Sequence, residues 1–215
     1  MQYFGGKAKI AKGLSKELQS RLKEGQAFVD LFCGSCNIVS KIKASVRIAN
    51  DLHKELIALH KAVQEGWIPP SAVSELEYKE IKNSNEVPDY PKAFVGFGCS
   101  FSGKYFGGYA RNSRGDDFCS NAKNSIIRKH QTLKDVQFTN LQYNEVSVPD
   151  NSLIYCDIPC KDTTGYSTGS FQHDSFYLWA KEMKDKGHTV LVSEYLQNLP
   201  EGWVVEWKHQ SKKNK

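Results

Sequence analysis

Six short apolar runs, most of them separated by stretches of helical periodicity, constrain this chain more than any other feature. The runs are Ala27–Phe32, Ser45–Ala49, Val136–Thr139, Leu153–Cys156, Thr189–Ser193 and Trp203–Trp207. Between them lie Leu52–Glu65, Asn121–Leu133 and Asp174–Lys186, the last closed by Gly187. Ahead of them, residues 7–24 read as a basic amphipathic helix, with Ile10, Leu14, Leu18 and Leu22 along one face. Short apolar runs alternating with helices predict a mostly parallel sheet covered on both faces, an α/β architecture. A segment over 67–117 breaks the rhythm with Pro69-Pro70, a short helix through Ser71–Ile81, Pro88, Pro91 and a glycine- and aromatic-rich stretch. It reads as a mostly helical insertion between the second and third strands, with 1–66 and 118–215 forming the domain that carries it.

Composition bounds the class. The chain has 215 residues, of which 40% are hydrophobic and 25% charged, and a net charge of +5. That is ordinary for a globular protein and favours a polyanionic partner only mildly. No run of 18 apolar residues exists, so a membrane partner is not expected, and the polar start lacks the apolar core of a signal peptide. A cytoplasmic protein without disulfides is the expectation. Cys33 and Cys36 have C-x-x-C spacing and Cys156 and Cys160 flank a strand end. Two of these four fall in or against predicted buried strands, where thiols commonly act as small apolar groups, so no metal site is expected.

Two strand ends carry the chemistry. In Leu153-Ile154-Tyr155-Cys156-Asp157-Ile158-Pro159-Cys160 a buried strand stops at a carboxylate followed by a proline. Asp157 and the backbone carbonyl of Ile158 can accept hydrogen bonds from the two protons of an amine, and Pro159 confines Ile158 to extended geometry. In Phe28-Val29-Asp30-Leu31-Phe32-Cys33-Gly34 the strand runs into a glycine turn, where ligands of open α/β sheets approach the backbone. The next strand ends in Asn50-Asp51, and Asp51 is placed either to accept ribose hydroxyls or to cap the helix after it. Gly5-Gly6-Lys7 lacks the wider spacing of a phosphate loop.

In this order the motifs resemble the Dam-like DNA adenine N6-methyltransferases, the alpha group of amino-methyltransferases. The resemblance rests on Tyr3-Phe4-Gly5-Gly6-Lys7, Asp30–Gly34, Asn50-Asp51, a central insertion, Asp157–Cys160, the following Lys161–Tyr166, Gly187–Val190 and Ser193–Tyr195, and spans residues 1 to about 207. It implies a Rossmann-like methyltransferase sheet with S-adenosylmethionine as methyl donor, no metal, and double-stranded DNA as partner, the target adenine being flipped out of the helix. Tyr3, Lys7, Asp51 and Asp157 match cofactor-contacting positions, with Gly6, Asp30, Cys33, Gly34 and Asn50 in the same motifs, and Asp157, Ile158, Pro159 and Cys160 match the catalytic motif. In the insertion, Lys104, Arg111 and Arg114 are candidates for phosphate or base-edge contacts, and Tyr105 and Tyr109 for stacking. A hairpin packed on its own small core accounts for the rings about equally well.

The chain departs from that pattern at three places. Ile158 stands for a proline, and Cys160 stands for the aromatic residue on which a flipped base stacks. Tyr166 and Phe171 are candidates to replace that ring. After Trp207 the chain turns polar where the family has a further strand, so a terminal strand is expected to be missing. These departures keep a second reading open, an impaired or inactive DNA- or cofactor-binding remnant. Methylation of RNA adenine is a third, weakened by Asp157 in place of an asparagine. The recognition sequence, a cognate restriction enzyme and the oligomeric state are not legible.

Overall fold

The structure is a computed structural model and describes residues 1–159 and 171–209. Cys160, Lys161–Tyr166 and the tail Ser211–Lys215 lie outside the described residues. Helix α1 (Ala11–Arg21) precedes β1 (Phe28–Asp30), β2 (Arg47–Asn50) and α2 (Lys54–Gln64). The segment before α5 (Phe118–His130) holds α3 (Glu75–Asn83) and α4 (Asp89–Ala93), the latter running into a π-helical turn at Phe94–Gly98. Then follow β3 (Val136–Thr139), β4 (Leu153–Cys156), α6 (His173–Asp185) and β5 (Thr189–Val192).

The strands form one all-parallel sheet in the order β3-β2-β1-β4-β5. The order reverses between β1 and β4, which pair with Phe28 against Leu153, Val29 against Ile154 and Asp30 against Tyr155. Crevices of doubly wound sheets open at such a reversal, beyond the carboxyl ends of the strands. Every residue of β1, β2 and β4 is buried, and successive side chains feed opposite faces. Phe28, Ala49, Leu153 and Tyr155 join Leu14 and Leu18 of α1 in one core. Val29, Ile48, Ile154 and Cys156 join Phe176, Ala180 and Met183 of α6 in the other. The sheet is thus Rossmann-like with an inserted helical region. Among the described residues, no helix is long and apolar enough to cross a membrane.

The insertion shares its core with the main domain. Tyr78 of α3, Ala93 of α4, and Phe94 and Phe97 of the π-helical turn pack with Leu56 and Leu59 of α2 and Ala122 and Ile126 of α5. Helix α3 begins later than the apolar spacing predicts because Ser74 and Glu77 form a reciprocal capping box. Helix α5 begins earlier, capped by Asp117, which accepts from the Ser120 N–H at 2.8 Å.

The expected strand at Trp203–Trp207 does not form. Trp203 packs edge-on against Tyr177 of α6 (centroids 5.3 Å), whereas Trp207 lies over Gly13 of α1 on the opposite face of the sheet. Glu206 pairs with Arg21 at 2.8 Å. The segment therefore crosses the β5 edge instead of pairing with it, because its two indoles find burial on different faces. Among the described residues β5 is the last strand.

Phe176 is fully buried between α6 and the tips of β1 and β4. Its replacement by alanine is expected to cost about 3–5 kcal/mol, read as a lower urea midpoint at unchanged slope.

Candidate active site

Beyond the carboxyl ends of β1, β2 and β4 lies a cleft that gathers Tyr3, Gly6, Lys7, Asp30, Cys33, Gly34, Asn50, Asp51, Asp157 and Pro159. Residues from three distant stretches of sequence meet because the three strand tips are adjacent in the sheet, and the N-terminal segment brings Tyr3, Gly6 and Lys7 to them.

The floor is the turn after β1. Gly34 has φ +48°, and a Cβ there would stand 2.9 Å from the Tyr3 ring, so the position excludes any side chain twice over. Its peptide is held from both sides. The Gly34 N–H donates to Asp51 Oδ2 at 2.8 Å, and the Gly34 carbonyl accepts from His60 Nε2 at 2.9 Å. Asp51 also receives the His53 N–H on Oδ1 at 2.9 Å, so it both clamps the glycine turn and shapes the start of α2. Lys129 of α5 donates to the Ser35 carbonyl and to Asn37 Oδ1. Burial lowers the Lys129 ammonium to a pKa of about 8.

A proton inventory follows from the geometry. A carbonyl only accepts, so His60 carries its proton on Nε2, and its Nδ1 accepts from His130 Nε2, 3.0 Å away. His130 Nδ1 is buried without a hydrogen-bond partner, and burial together with neighbouring His60 and Lys129 lowers His130 to a pKa of about 3. His130 is therefore a neutral support of the turn, acting through His60.

The acidic groups face each other across the cleft. Lys7 Nζ stands 2.5 Å from Asp157 Oδ1. Burial pushes the Asp157 carboxyl up, and Lys7 opposes the shift. Asp30 is 1% exposed, and burial, with Cys36, Asp157 and Asp51 nearby, holds its carboxyl well above the usual range. Its Oδ1 has no hydrogen-bond partner. A buried acceptor without a donor at the edge of a cleft is suited to a cationic ligand group.

Several of the candidate residues make their contacts within the protein. Asn50 is 1% exposed and its amide is fully occupied by protein: it donates to the carbonyls of Leu31 (3.2 Å) and Leu141 (3.0 Å), and accepts from Thr139 Oγ1 (2.9 Å) and the Leu141 N–H (3.0 Å). It ties the segment after β3 to the cleft, bringing in Leu141, Gln142 and Tyr143, which the sequence did not flag. Tyr105 packs with Phe97 (4.7 Å), His53 (4.7 Å) and Phe106 (4.8 Å) and lines the cleft from inside. Tyr109 donates to the Val73 carbonyl at 2.7 Å and abuts Tyr78, which fixes it in the insertion. Lys104, Arg111 and Arg114 are exposed, with Arg111 3.0 Å from Glu75.

Among the insertion's rings Phe101 is exposed (63%), on a turn where Ser102 and Gly103 both have positive φ. A Cβ at Gly103 would meet the Gln2 and Tyr3 backbone at 2.6 Å, and the Gly103 carbonyl accepts from the Phe4 N–H at 3.0 Å. The turn is thus stapled to the rim of the cleft. Its signal in the sequence was Phe-Ser-Gly with an obligatory glycine. On the β4 side, Ile158 is buried, Pro159 and Phe171 line the cleft, and His173 Nε2 lies 2.7 Å from the Pro159 carbonyl. Among the described residues no cluster of three or more His, Cys, Asp or Glu side chains is placed to hold a metal ion.

Comparison with known proteins adds to this geometry. Residues 3–98 match the model of the D12 class N6 adenine-specific DNA methyltransferases. The chain is 25% identical to the Retron Ec67 DNA adenine methylase of Escherichia coli over 90% of its own length and 75% of that protein. It is 26% identical to the modification methylase StsI of Streptococcus sanguinis over 79% of its own length, which spans 30% of that larger protein. Over these matches, and in its sheet order, the chain is similar to the Dam/D12-class adenine-specific DNA methyltransferases.

The neutral His130 gives a pH signature. Unfolded, the ring takes up a proton near pH 6.5; folded, it does so only near pH 3. Its contribution is therefore intact above pH 6.5 and is lost progressively as pH falls towards 3, by about 2–3 kcal/mol between pH 6.5 and 4.5. Urea unfolding across that range is expected to show this loss in the wild type and a flatter profile in His130→Gln.

Proposed function

We propose that this protein transfers a methyl group from S-adenosylmethionine to the exocyclic N6 amine of adenine in duplex DNA. The observation that carries the reading is the meeting of Asp157 with Asp30, Gly34 and Asp51 in one cleft. The residues present fit the methyl donor. The Asp30 oxygen without a donor suits its ammonium, the side-chain-free Gly34 turn beneath Tyr3 admits close approach, and Asp51 stands where ribose hydroxyls are accepted in such folds. When bound, the donor supplies an electrophilic methyl group on a sulfonium.

The chain's own part is to prepare the amine. The lone pair of an adenine amine is delocalised into the ring. Asp157 and the Ile158 carbonyl accept one N–H each, which draws the nitrogen towards pyramidal geometry and frees the lone pair for attack. As the nitrogen gains a methyl group it loses a proton, and Asp157, whose proton affinity burial raises, is placed to take it. Lys7 holds the carboxylate in place and offsets part of its desolvation. The rest is orientation in a site shaped by Tyr3, Tyr143 and Phe171.

Residues 67–117 serve in this reading as the target-recognition module on a catalytic domain of 1–66 and 118–215. Lys104, Arg111 and Arg114 meet phosphates, and Phe101 stacks on bases at the rim. A flipped base needs such a surface next to the chemistry, and the Phe101 turn is fixed to the Tyr3-Phe4 backbone that borders it.

The deciding experiment is transfer of tritium from labelled S-adenosylmethionine to duplex DNA, followed by mapping of the modified base. Wild type is expected to label duplex DNA in preference to RNA, and Asp157→Ala to abolish labelling while still binding S-adenosylhomocysteine. No labelling by wild type would leave the non-catalytic remnant as the better reading. Preferential labelling of RNA would favour the RNA enzyme. Because base stacking is worth about 1–3 kcal/mol, Phe101→Ala is expected to weaken duplex binding roughly 5- to 150-fold without changing cofactor affinity, in a fluorescence-anisotropy titration.

A further inference from the structure

We propose that His173 is a positioning residue of the amine site, replacing by a hydrogen bond the rigidity that Ile158 removes from the catalytic motif; the role rests on the methyl-transfer reading above. Two acceptors must hold their angles for the amine to be aligned, the Asp157 carboxylate and the carbonyl of residue 158. That carbonyl is set by the backbone dihedrals on either side of it. A proline at 158 would have fixed φ there, and isoleucine does not.

The structure restrains the segment by other means. Pro159 fixes its own φ and confines Ile158 to extended ψ. The Ile158 side chain is 2% exposed and packed in the core beneath α6, which anchors the residue from below. Beyond these restraints His173 tethers the far end of the strand tip at the next carbonyl, that of Pro159. Its Nε2 lies 2.7 Å from the Pro159 carbonyl, and because that oxygen can only accept, Nε2 carries the proton.

His173 is itself held. It is the first residue of α6, and its ring meets Phe171 edge-on at 4.9 Å. Phe171 in turn meets Phe32 edge-on at 5.7 Å, and both Phe171 and Phe32 line the cleft. A donor seated on a helix thus reaches back to the strand tip across 14 residues of sequence. His173 does not itself line the cleft, so it acts on the reaction through the Pro159 carbonyl it holds and the Phe171 ring it packs against.

His173→Leu removes the donor at similar size, and His173→Gln returns one. In steady-state methyl transfer to duplex DNA, His173→Leu is expected to lower kcat about 10- to 100-fold, the loss that slight misplacement of a reacting group produces. The KM for S-adenosylmethionine and the Kd for S-adenosylhomocysteine are expected to stay within about twofold, and His173→Gln to recover most of kcat. A His173→Leu kcat close to that of wild type would overturn the role. So would kcat and cofactor affinity falling together with no recovery in His173→Gln, the pattern of a merely structural contact. Should the leucine variant fail to fold, nitrogen-15 NMR of the wild-type histidines still decides, since a His173 ring protonated only on Nδ1 would refute the bond. A wild type that methylates no DNA fails the functional reading itself, whereas an active wild type with an unimpaired leucine variant fails the His173 role alone.

Discussion

The parallel pairing of β1 with β4 is the constraint on which the site depends. Because Asp30 lies in register with Tyr155, the end of the first strand and the acidic residue just beyond the fourth meet at the reversal of strand order. Neither motif has a cleft without the other. The pairing also has an electrostatic consequence. It gathers Asp30, Asp51 and Asp157 at one rim, where burial raises all three carboxyls. Lys7 neutralises part of that charge from the N-terminal segment. An acidic crevice with an unpaired acceptor is costly to build and suits a cationic donor of methyl groups better than an anionic ligand.

Around that pairing the cleft is held from outside the sheet. The Gly34 peptide is clamped by Asp51 on one side and by the His60–His130 pair on the other, and Lys129 secures Ser35 and Asn37 just beyond it. Two of these supports, Lys129 and His130, belong to the last turn of α5, the helix that leads out of the insertion. The insertion and the glycine turn are therefore joined by one rigid element. The shared core of α2, α5 and the π-helical turn extends the same connection, so the inserted helical region and the cleft are parts of one packed body.

The strand tips were legible in the sequence because their signals are local. An apolar run that stops at Asp157-Ile158-Pro159, or at Asp30 before a glycine turn, states both the element and its end. The same local logic misjudged Trp203–Trp207, whose apolar residues resemble a strand. Trp207 instead fills the space above Gly13, a residue nearly two hundred positions away that no window of sequence contains. The rings of the insertion were undecidable for a similar reason. Tyr109 turns inward because the Val73 carbonyl is there to accept its hydroxyl, and Phe101 turns outward because Gly103 is pressed against the N-terminal backbone. The supports of the turn were invisible, since His60 and Lys129 act on carbonyls 26 and 94 residues away, and carbonyls have no sequence identity to read.

A motif that departs from the letters of the proteins it resembles need not depart from their geometry. A proline restrains one dihedral by covalent means, at the position where it stands. The same restraint can be distributed over a buried isoleucine side chain, a following proline and a donor from a neighbouring helix, all of which this chain has at its β4 tip. The substitution at 158 even strengthens one part of the arrangement, because isoleucine reaches into the core beneath α6. The loss at 160 is of a different kind. A ring that stacks on a base acts by its surface, and dihedral restraint cannot replace surface; only another ring can. Phe32, Tyr143, Tyr155 and Phe171 are described rings that border the cleft beside the β4 tip, so under the methyl-transfer reading a base stacks on rings from beyond the motif rather than on the motif's own.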